Sequence, residues 1–315
     1  MLNSKLRNCS IDLAGELCNH PNYLQIRARI NHLTSKYVSL GMLYSNLHDL
    51  PTQFTEPHQR HWEKIDWKKV NINQIIGVEP AFFINLIAGA AEVEAPIRDY
   101  ARESRDYLQV QYPAMASFMA GNLASDGQII ELGIWGKEER QHLPVFKKIY
   151  QQLTGEKLQP KANTVNGYQP TGNLQRDMYY HTLSRITTQW SATSIYLWLM
   201  AHPTGELQQA IAQPLQDEVN HLAKFWGFGA WAFGDAYFSR LYGAGKHLIA
   251  LAKHNKQERS QSDDVLKYSS ALHAVELAFT FARVRVQLGK WNKTLNSSYL
   301  NHLFDDTAKC QVSQH

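Results

Sequence analysis

The chain has 315 residues, of which 44% are hydrophobic, so it can form one large domain or two modest ones around a substantial core. Its formal net charge is only +4, which gives no indication of a nucleic-acid partner. Cys9, Cys18 and Cys310 have neither zinc-site nor redox-motif spacing, as is typical of a reducing cytoplasm. The first residues lack the basic-then-apolar pattern of a signal peptide. We therefore expect a globular, cytoplasmic protein.

The N-terminal region, residues 1–79, is expected to contain at least one helix, around residues 23–46. A polar stretch follows, in which HWEKIDW (61–67) is rich in aromatic side chains. From Pro80, apolar residues at helical spacing predict a first long helix over 80–108, with Pro96 as a candidate kink.

A second long helix is predicted over 125–155, because Ser125 and Gln128 form a capping-box pattern and Gly155 is suited to a helix end. Residues 156–172 carry two prolines and no apolar period, so they are expected to cross over between two helical hairpins.

The second hairpin is predicted to consist of a third helix over 173–202, stopped by Pro203, and a fourth helix over 204–233, with Thr204 as its cap. Residues 186–205 contain no charged side chain and approach the roughly 20 residues that span a membrane. Several polar residues dilute this stretch, so a helix buried in protein is expected instead.

Two further helices are predicted over 236–254 and 264–288. The pattern as a whole predicts an all-α protein with a single domain. Its three parts are the N-terminal region (1–79), a four-helix bundle (80–233) and C-terminal helices (234–315).

Two copies of a Glu-x-x-His pattern stand out. WGKEERQH places Glu139 three residues before His142, and QDEVNH places Glu218 three residues before His221. Residues at i and i+3 share a helix face and can bind one metal ion between them. One copy is expected by chance, but both copies fall near the middle of the second helix of a predicted hairpin. A four-helix di-iron site combines two such helices with one glutamate from each of the other two helices.

The other two helices supply weaker candidates. The first helix offers Glu94 at its midpoint, ahead of Glu103, while Glu92 lies just off the same face. A place on the charged surface is an equally good interpretation for each of these glutamates. The third helix has no acidic residue near its middle. Its central polar residue is Gln189, for which a hydrogen-bonded core role is favoured over metal binding.

At these residues the chain resembles the ferritin-like di-iron carboxylate superfamily, most closely its plant-type acyl-carrier-protein desaturases. WGKEERQH is similar to the family's tryptophan-bearing, double-glutamate motif, QDEVNH to its acidic-pair motif, and EVEAP to its first-helix segment. QWSAT is similar to its third-helix segment, except that the family's glutamate falls on Trp190 or Gln189. The resemblance covers residues 80–233, about half of the chain.

The resemblance implies a dimetal centre with two iron ions, for which manganese or a mixed pair is the alternative. Glu139 and Glu218 would be bridging or metal-bound carboxylates, and Glu94 would be a terminal ligand. His142 and His221 would each bind one ion through one ring nitrogen, with the other nitrogen held by an acceptor. A glutamine at position 189 would leave one ion short of its usual carboxylate.

The resemblance further implies an oxidoreductase that uses dioxygen to desaturate or hydroxylate an acyl or other hydrophobic substrate. The expected partners are this substrate, which an acyl carrier protein can carry, and an external electron donor; neither nucleic acid nor a membrane span is expected. Two alternatives stay open because of Gln189. One is a halogenase in which a halide takes the place of the missing carboxylate, and the other is a non-catalytic metal-binding or degenerate ferritin-like protein.

Overall fold

The computed structural model describes residues 23–95, 97–124, 128–160, 171–234 and 264–312. These residues are mostly helical, which confirms the predicted all-α class. The helices are α1 (Tyr23–Tyr37), α2 (Leu40–His48), α3 (Leu50–Thr55), α4 (Pro80–Glu94), α5 (Ile97–Leu108), α6 (Pro113–Ala120), α7 (Ile134–Thr154), α8 (Leu174–Ala201), α9 (Gly205–Phe233), α10 (Asp264–Thr294) and α11 (Ser297–Val312). Two short strands, β1 (Asn122–Leu123) and β2 (Ile129–Glu131), pair antiparallel between α6 and α7.

The helical stretch predicted over 80–108 is confirmed in its bounds but forms two helices, which lie on either side of the candidate kink at Pro96 in the sequence. Helix α4 starts at Pro80, where the missing backbone N–H is harmless, and ends at Glu94. Helix α5 starts at Ile97. Pro96 stands between the two helices in the sequence, and a proline lacks the backbone N–H that a continuous helix would donate to the carbonyl four residues earlier. Glu94 is therefore the last residue of a helix rather than the midpoint of one.

The predicted start of the second long helix is also wrong. Helix α7 begins at Ile134, and β2 occupies part of the expected helix; Ser125 lies outside the described residues. The strand hairpin requires close backbone contacts. A Cβ atom on Gly133 would lie 2.4 Å from the backbone of Met119. The predicted end at Gly155 is confirmed, with this residue in the left-handed conformation at φ +78°.

The second hairpin matches its prediction closely. Helix α8 follows Asn173, whose side chain accepts a hydrogen bond from the backbone of Arg176, and helix α9 ends before Gly234. Thr204 occupies the cap position of α9, although its side chain makes no capping bond within the described chain. The uncharged stretch of α8 is mostly buried in protein, as expected. Among the helices described, none combines the length and the apolar character needed to cross a bilayer.

Four helices lie at the centre of the molecule. Helix α4 packs on α7, α8 packs on α9, and the two pairs contact each other through α7 with α9 and through α4 with α8. Large buried side chains fill the space between them, including Phe83, Phe146, Tyr196 and Phe225. Polar side chains that reach this interior are removed from water and need partners there.

The remaining helices cover this centre. The helix predicted over 23–46 is interrupted, because Ser39 caps a new helix, α2, by accepting a hydrogen bond from the backbone of Met42. Helix α10 confirms the prediction over 264–288 and packs on α1 and α8, while α11 packs on α9. Buried Trp291 of α10 donates to the carbonyl oxygen of Val38. The helix predicted over 236–254 lies outside the described residues.

A separate polar cluster attaches α10 to the end of α8. The Glu276 carboxylate lies 3.3 Å from Nδ1 of His273 and 3.7 Å from Nε2 of His202. All three side chains are buried. Burial lowers the pKa of His202 to about 3, so its ring is neutral at pH 7. The cluster therefore stabilises the packing of α10 through polar contacts.

Candidate metal centre

A buried group of four side chains lies between the central helices. Glu94, Glu139, His142 and Glu218 each offer one ligand atom, and these atoms lie within 4.8 Å of one another. None of the four residues is more than 4% exposed. Carboxylate oxygens and imidazole nitrogens at this spacing can hold a metal ion. Three different helices, α4, α7 and α9, supply the group.

The Nδ1 atom of His142 is the focus of this group. It lies 3.2 Å from Glu218 Oε1, 3.3 Å from Glu139 Oε2 and 3.5 Å from Glu94 Oε1. None of these oxygens accepts a hydrogen bond from Nδ1, and no other described residue does so. Ligands about 2.0–2.2 Å from one tetrahedral ion are separated by distances of this size. The ring nitrogen is thus positioned as a ligand atom.

His221 approaches the same group from α9. Its Nδ1 atom lies 3.1 Å from Glu139 Oε1 and makes no hydrogen bond with the described residues. The carboxylate of Glu139 therefore presents one oxygen to each of two imidazoles. The rings of His142 and His221 lie 6.5 Å apart with an interplanar angle of 29°. A carboxylate held between two such ligands is suited to bridging two metal ions.

The outer nitrogen of each imidazole faces an acidic residue on the opposite helix. Nε2 of His142 lies 3.3 Å from Asp217 Oδ2, and Nε2 of His221 lies 2.8 Å from Glu138 Oε2. Such contacts fix the ring orientation and leave Nδ1 free to bind a metal ion. The sequence predicted an acceptor behind each histidine but did not identify which residues would fill this role. Each directly precedes the glutamate of its motif, so the adjacent acidic pairs were the available signal.

A segment before α4 completes this outer layer. The backbone N–H of Arg60 donates to Glu138, and its guanidinium Nε lies 2.5 Å from Asp217 Oδ1. The indole of Trp62 donates to Asp217 Oδ2 at 2.8 Å, and its ring stacks on that of His142 at 6.0 Å. Sequence reasoning noted aromatic anchors here but missed Arg60, because an irregular segment carries no periodicity that reveals what its side chains contact.

Tyr196 of α8 supports the ligand from α4. Its hydroxyl donates to Glu94 Oε1, and both side chains are buried. Burial and the charge of Glu94 raise the pKa of the Tyr196 hydroxyl well above its usual value. The hydroxyl therefore keeps its proton and acts as a permanent donor to this carboxylate.

Gln189 of α8 also lies in the centre. Its side-chain Nε2 donates to Glu139 Oε1 at 3.0 Å, and the residue is 3% exposed. Its Oε1 has no hydrogen-bond partner among the residues described. Gln189 is thus a hydrogen-bonded core residue, as favoured from the sequence, with an oxygen still available to a ligand. The side chain of Glu103, the other additional candidate, lies outside the described part of the structure.

Two of the candidate ligand carboxyls, Glu218 and Glu94, have raised pKa values and therefore hold their protons more readily than usual. Burial, followed by the charge of Glu139, raises the pKa of Glu218 to about 8. Burial also raises the pKa of Glu94. Glu139 behaves differently, because the two imidazoles outweigh the effect of burial and lower its pKa. Without a metal ion, the group thus combines two carboxyls that favour the protonated form, Glu94 and Glu218, with one that favours the ionised form, Glu139.

The imidazoles also favour their protonated forms. Burial alone would lower the pKa of His221, but Glu138 and Glu139 raise it to about 10. The acidic residues around His142, first among them Glu94, likewise raise its pKa well above the usual value. A metal ion at this centre would take the place of these protons.

The donor set itself fits a metal ion. Four ligand atoms are buried and make no hydrogen bond within the described ranges: Nδ1 of His142, Nδ1 of His221, Oε2 of Glu218 and Oε1 of Gln189. Other buried polar atoms of the described chain also lack a partner, so these four are candidate ligand atoms because their side chains meet around Glu139 and His142. No family model, curated protein or solved structure matches the chain.

Proposed function

We propose that this protein is a dimetal oxidoreductase that uses dioxygen to oxidise C–H bonds of an acyl chain or another hydrophobic substrate. The observation that carries the proposal is the position of Glu139, whose two carboxylate oxygens face the inner nitrogens of His142 and His221 at 3.3 Å and 3.1 Å. Buried glutamates between paired imidazoles are the ligands of di-iron centres in helical bundles.

The proposed centre has two metal positions. Glu94, His142, Glu139 and Glu218 would hold the ion at the first position. His221 would hold the ion at the second position together with Glu139 and Glu218, and Gln189 would be a further, neutral donor there. The unpartnered ligand atoms at both positions support this assignment. Iron is the expected metal, with manganese or a mixed pair as the alternative.

We also propose that α4, α7, α8 and α9 form a bundle of the ferritin-like kind. The contacts of α4 with α7 and of α8 with α9, and the contacts between the two pairs, are compatible with this arrangement. Each of the four helices contributes at least one side chain to the centre, which is the distribution expected of such a bundle.

Reduced iron, when bound, supplies the electrons that reduce dioxygen and permits oxidation of an unactivated C–H bond. The protein holds the ligands in place and keeps water away from them. The ring of Trp135 lies 6.3 Å from that of His221, and the ring of Phe146 lies 4.9 Å from that of Tyr196. These apolar neighbours exclude water, which strengthens electrostatic interactions in the centre.

Protons and ring orientations are controlled by the surrounding residues. Tyr196 holds its proton against Glu94, while Asp217 and Glu138 hold the outer nitrogens of the two imidazoles. A hydrophobic substrate and an external electron donor complete the proposed reaction.

Metal content and oxygen uptake test this function. The protein is loaded anaerobically with Fe²⁺, reduced, and exposed to dioxygen in an oxygen electrode. We expect two iron ions per chain and oxygen uptake, both of which Glu139→Ala abolishes. Glu92→Ala is the matched control, since Glu92 is a half-buried glutamate of α4 outside the centre. Fewer than two iron ions per chain, or no oxygen uptake, would refute the proposal.

The neutral side chain of Gln189 favours a second candidate function, halogenation. A halide bound in place of a carboxylate could be transferred to a substrate radical. In that case turnover depends on chloride or bromide, and mass spectrometry detects halogenated product. If two ions bind but no oxygen is consumed, a non-oxidative metal-binding protein is the remaining interpretation.

A further inference from the structure

We infer that Glu138 supplies, from behind His221, the negative charge that Gln189 does not supply at the second metal position. Glu138 would thus be a positioning residue that makes this position able to hold its ion. The inference rests on the proposed dimetal centre and explains how that centre tolerates a neutral residue on α8.

The two positions differ in their directly bound charge. Both share the carboxylates of Glu139 and Glu218, but Glu94 adds a full negative charge to the first position only. At the second position, the corresponding residue from α8 is Gln189, whose amide is neutral. Two divalent ions carry four positive charges, and three ligand carboxylates offset three of them. The deficit therefore falls on the second position.

The carboxylates behind the two imidazoles, Asp217 and Glu138, differ in the opposite sense, because more negative charge is available at the second position. Asp217, behind His142, is neutralised by the guanidinium of Arg60, whose Nε lies 2.5 Å from its Oδ1. Besides its contact with His221, Glu138 accepts the neutral backbone N–H of Arg60 at 2.8 Å, and among the described residues no lysine or arginine side chain forms an ion pair with it. The charge of Glu138 is therefore available to the second position.

The contact distances agree with this difference. Glu138 Oε2 lies 2.8 Å from Nε2 of His221, whereas Asp217 Oδ2 lies 3.3 Å from Nε2 of His142. A buried carboxylate that accepts an imidazole N–H makes the opposite nitrogen a stronger donor to a metal ion. Both Glu138 and His221 are at most 1% exposed, so solvent screens their interaction little.

A cycle of two substitutions tests the inference. Binding of two equivalents of Co²⁺ is measured by calorimetry in the wild type, in Glu138→Gln, in Gln189→Glu and in the double variant. We expect Glu138→Gln to weaken binding of the second ion by about 10- to 100-fold. In the Gln189→Glu background, where a carboxylate contacts the ion directly, the same substitution should change the affinity by no more than about threefold.

Asp217→Asn is the matched control, because Arg60 already neutralises Asp217. Its effect on metal affinity should be the same in the wild-type background and in the Gln189→Glu background. An equal loss of affinity from Glu138→Gln in both backgrounds would overturn the inference while leaving the dimetal proposal intact. A wild-type protein that binds fewer than two ions would instead refute the dimetal proposal itself.

A second comparison covers the case in which Gln189→Glu does not fold. Glu138→Asp keeps the negative charge, and Glu138→Gln keeps the length of the side chain but removes the charge. We expect the aspartate variant to bind the second ion more tightly than the glutamine variant. Equal or weaker binding by the aspartate variant would show that the charge of Glu138 is not what matters, and would overturn the inference.

Discussion

Arg60 and Asp217 form a partly buried ion pair between an irregular segment and the middle of α9, with 2.5 Å between Nε and Oδ1. Asp217 is fully buried, while the Arg60 side chain is 25% exposed. The pair fixes the acceptor that orients His142, so stability and the proposed metal binding depend on the same contact.

Replacing Arg60 should therefore destabilise the protein. In Arg60→Met the carboxylate of Asp217 stays buried without its cation, and we expect the free energy of unfolding to fall by about 2 kcal/mol. This is less than the full effect of breaking a buried pair, because Arg60 is partly exposed. Urea denaturation measures the change. Lys64→Met, which removes an exposed cation nearby, should change stability by no more than about 0.5 kcal/mol.

The stability of the metal-free protein should fall as the pH rises from 7 to 10. The pKa values of Glu218 and His221 are raised to about 8 and about 10, so the folded state holds protons that the unfolded state has released. This contribution is complete below the unfolded pKa values and is lost as the pH passes the folded ones. Glu94 and His142, whose pKa values are also raised, act in the same direction.

Thermal unfolding with a chelator, followed from pH 7 to pH 9.5, measures this dependence. Adding Co²⁺ should raise Tm more at pH 9 than at pH 7, because fewer protons have to leave the ligands at the higher pH. A metal-free Tm that is constant or rises over this range would contradict the prediction.

Glu94 and Glu92 form a matched pair on the last turn of α4. Glu94→Gln should lose one bound ion per chain, since the first position then lacks its terminal carboxylate. Glu92→Gln should bind as the wild type does, because Glu92 lies outside the group of ligand atoms. Metal analysis after dialysis distinguishes the two variants, and equal metal content in both would exclude Glu94 as a ligand.

Tyr196→Phe should weaken metal binding most strongly at low pH. The tyrosine hydroxyl donates to Glu94 and opposes the effect of burial, which raises the pKa of this carboxyl. Without the donor, Glu94 holds its proton more tightly, so the affinity for Co²⁺ should fall more at pH 6 than at pH 8. Tyr180→Phe, at an exposed tyrosine of the same helix, is the control and should show no change.

Much of the helical architecture could be predicted because its signals are local. Pro203 and Gly234 mark the ends of α8 and α9, and the i, i+3 spacing places each histidine of the two motifs on the face of its glutamate. The grouping of Glu94, Glu139, His142 and Glu218 follows from these faces once the helices pack together. Helical periodicity thus predicted that each motif presents its glutamate and histidine on one face, while Glu94 was one of several candidates on the first helix.

The features that were missed depend on contacts between distant parts of the chain. Helix α7 starts late because a strand hairpin precedes it. Gly133, just before α7, packs against the backbone of Met119, and no capping pattern in the sequence reveals this contact. The role of Arg60 depends on Asp217, 157 residues away. Local sequence propensity does not reveal either feature, because each depends on a contact with a residue that is distant in the sequence.

Glu94 occupies the final position of α4, whereas Glu139, His142 and Glu218 lie within continuous helices. Moving a mid-helix ligand means bending a helix, but moving Glu94 only requires its terminal turn to unwind. Of these four side chains, three are therefore held rigidly and one can adjust its position. At the proposed metal centre, exchange of small molecules should begin on the α4 side, where Glu94 can move while the rest of the scaffold stays in place.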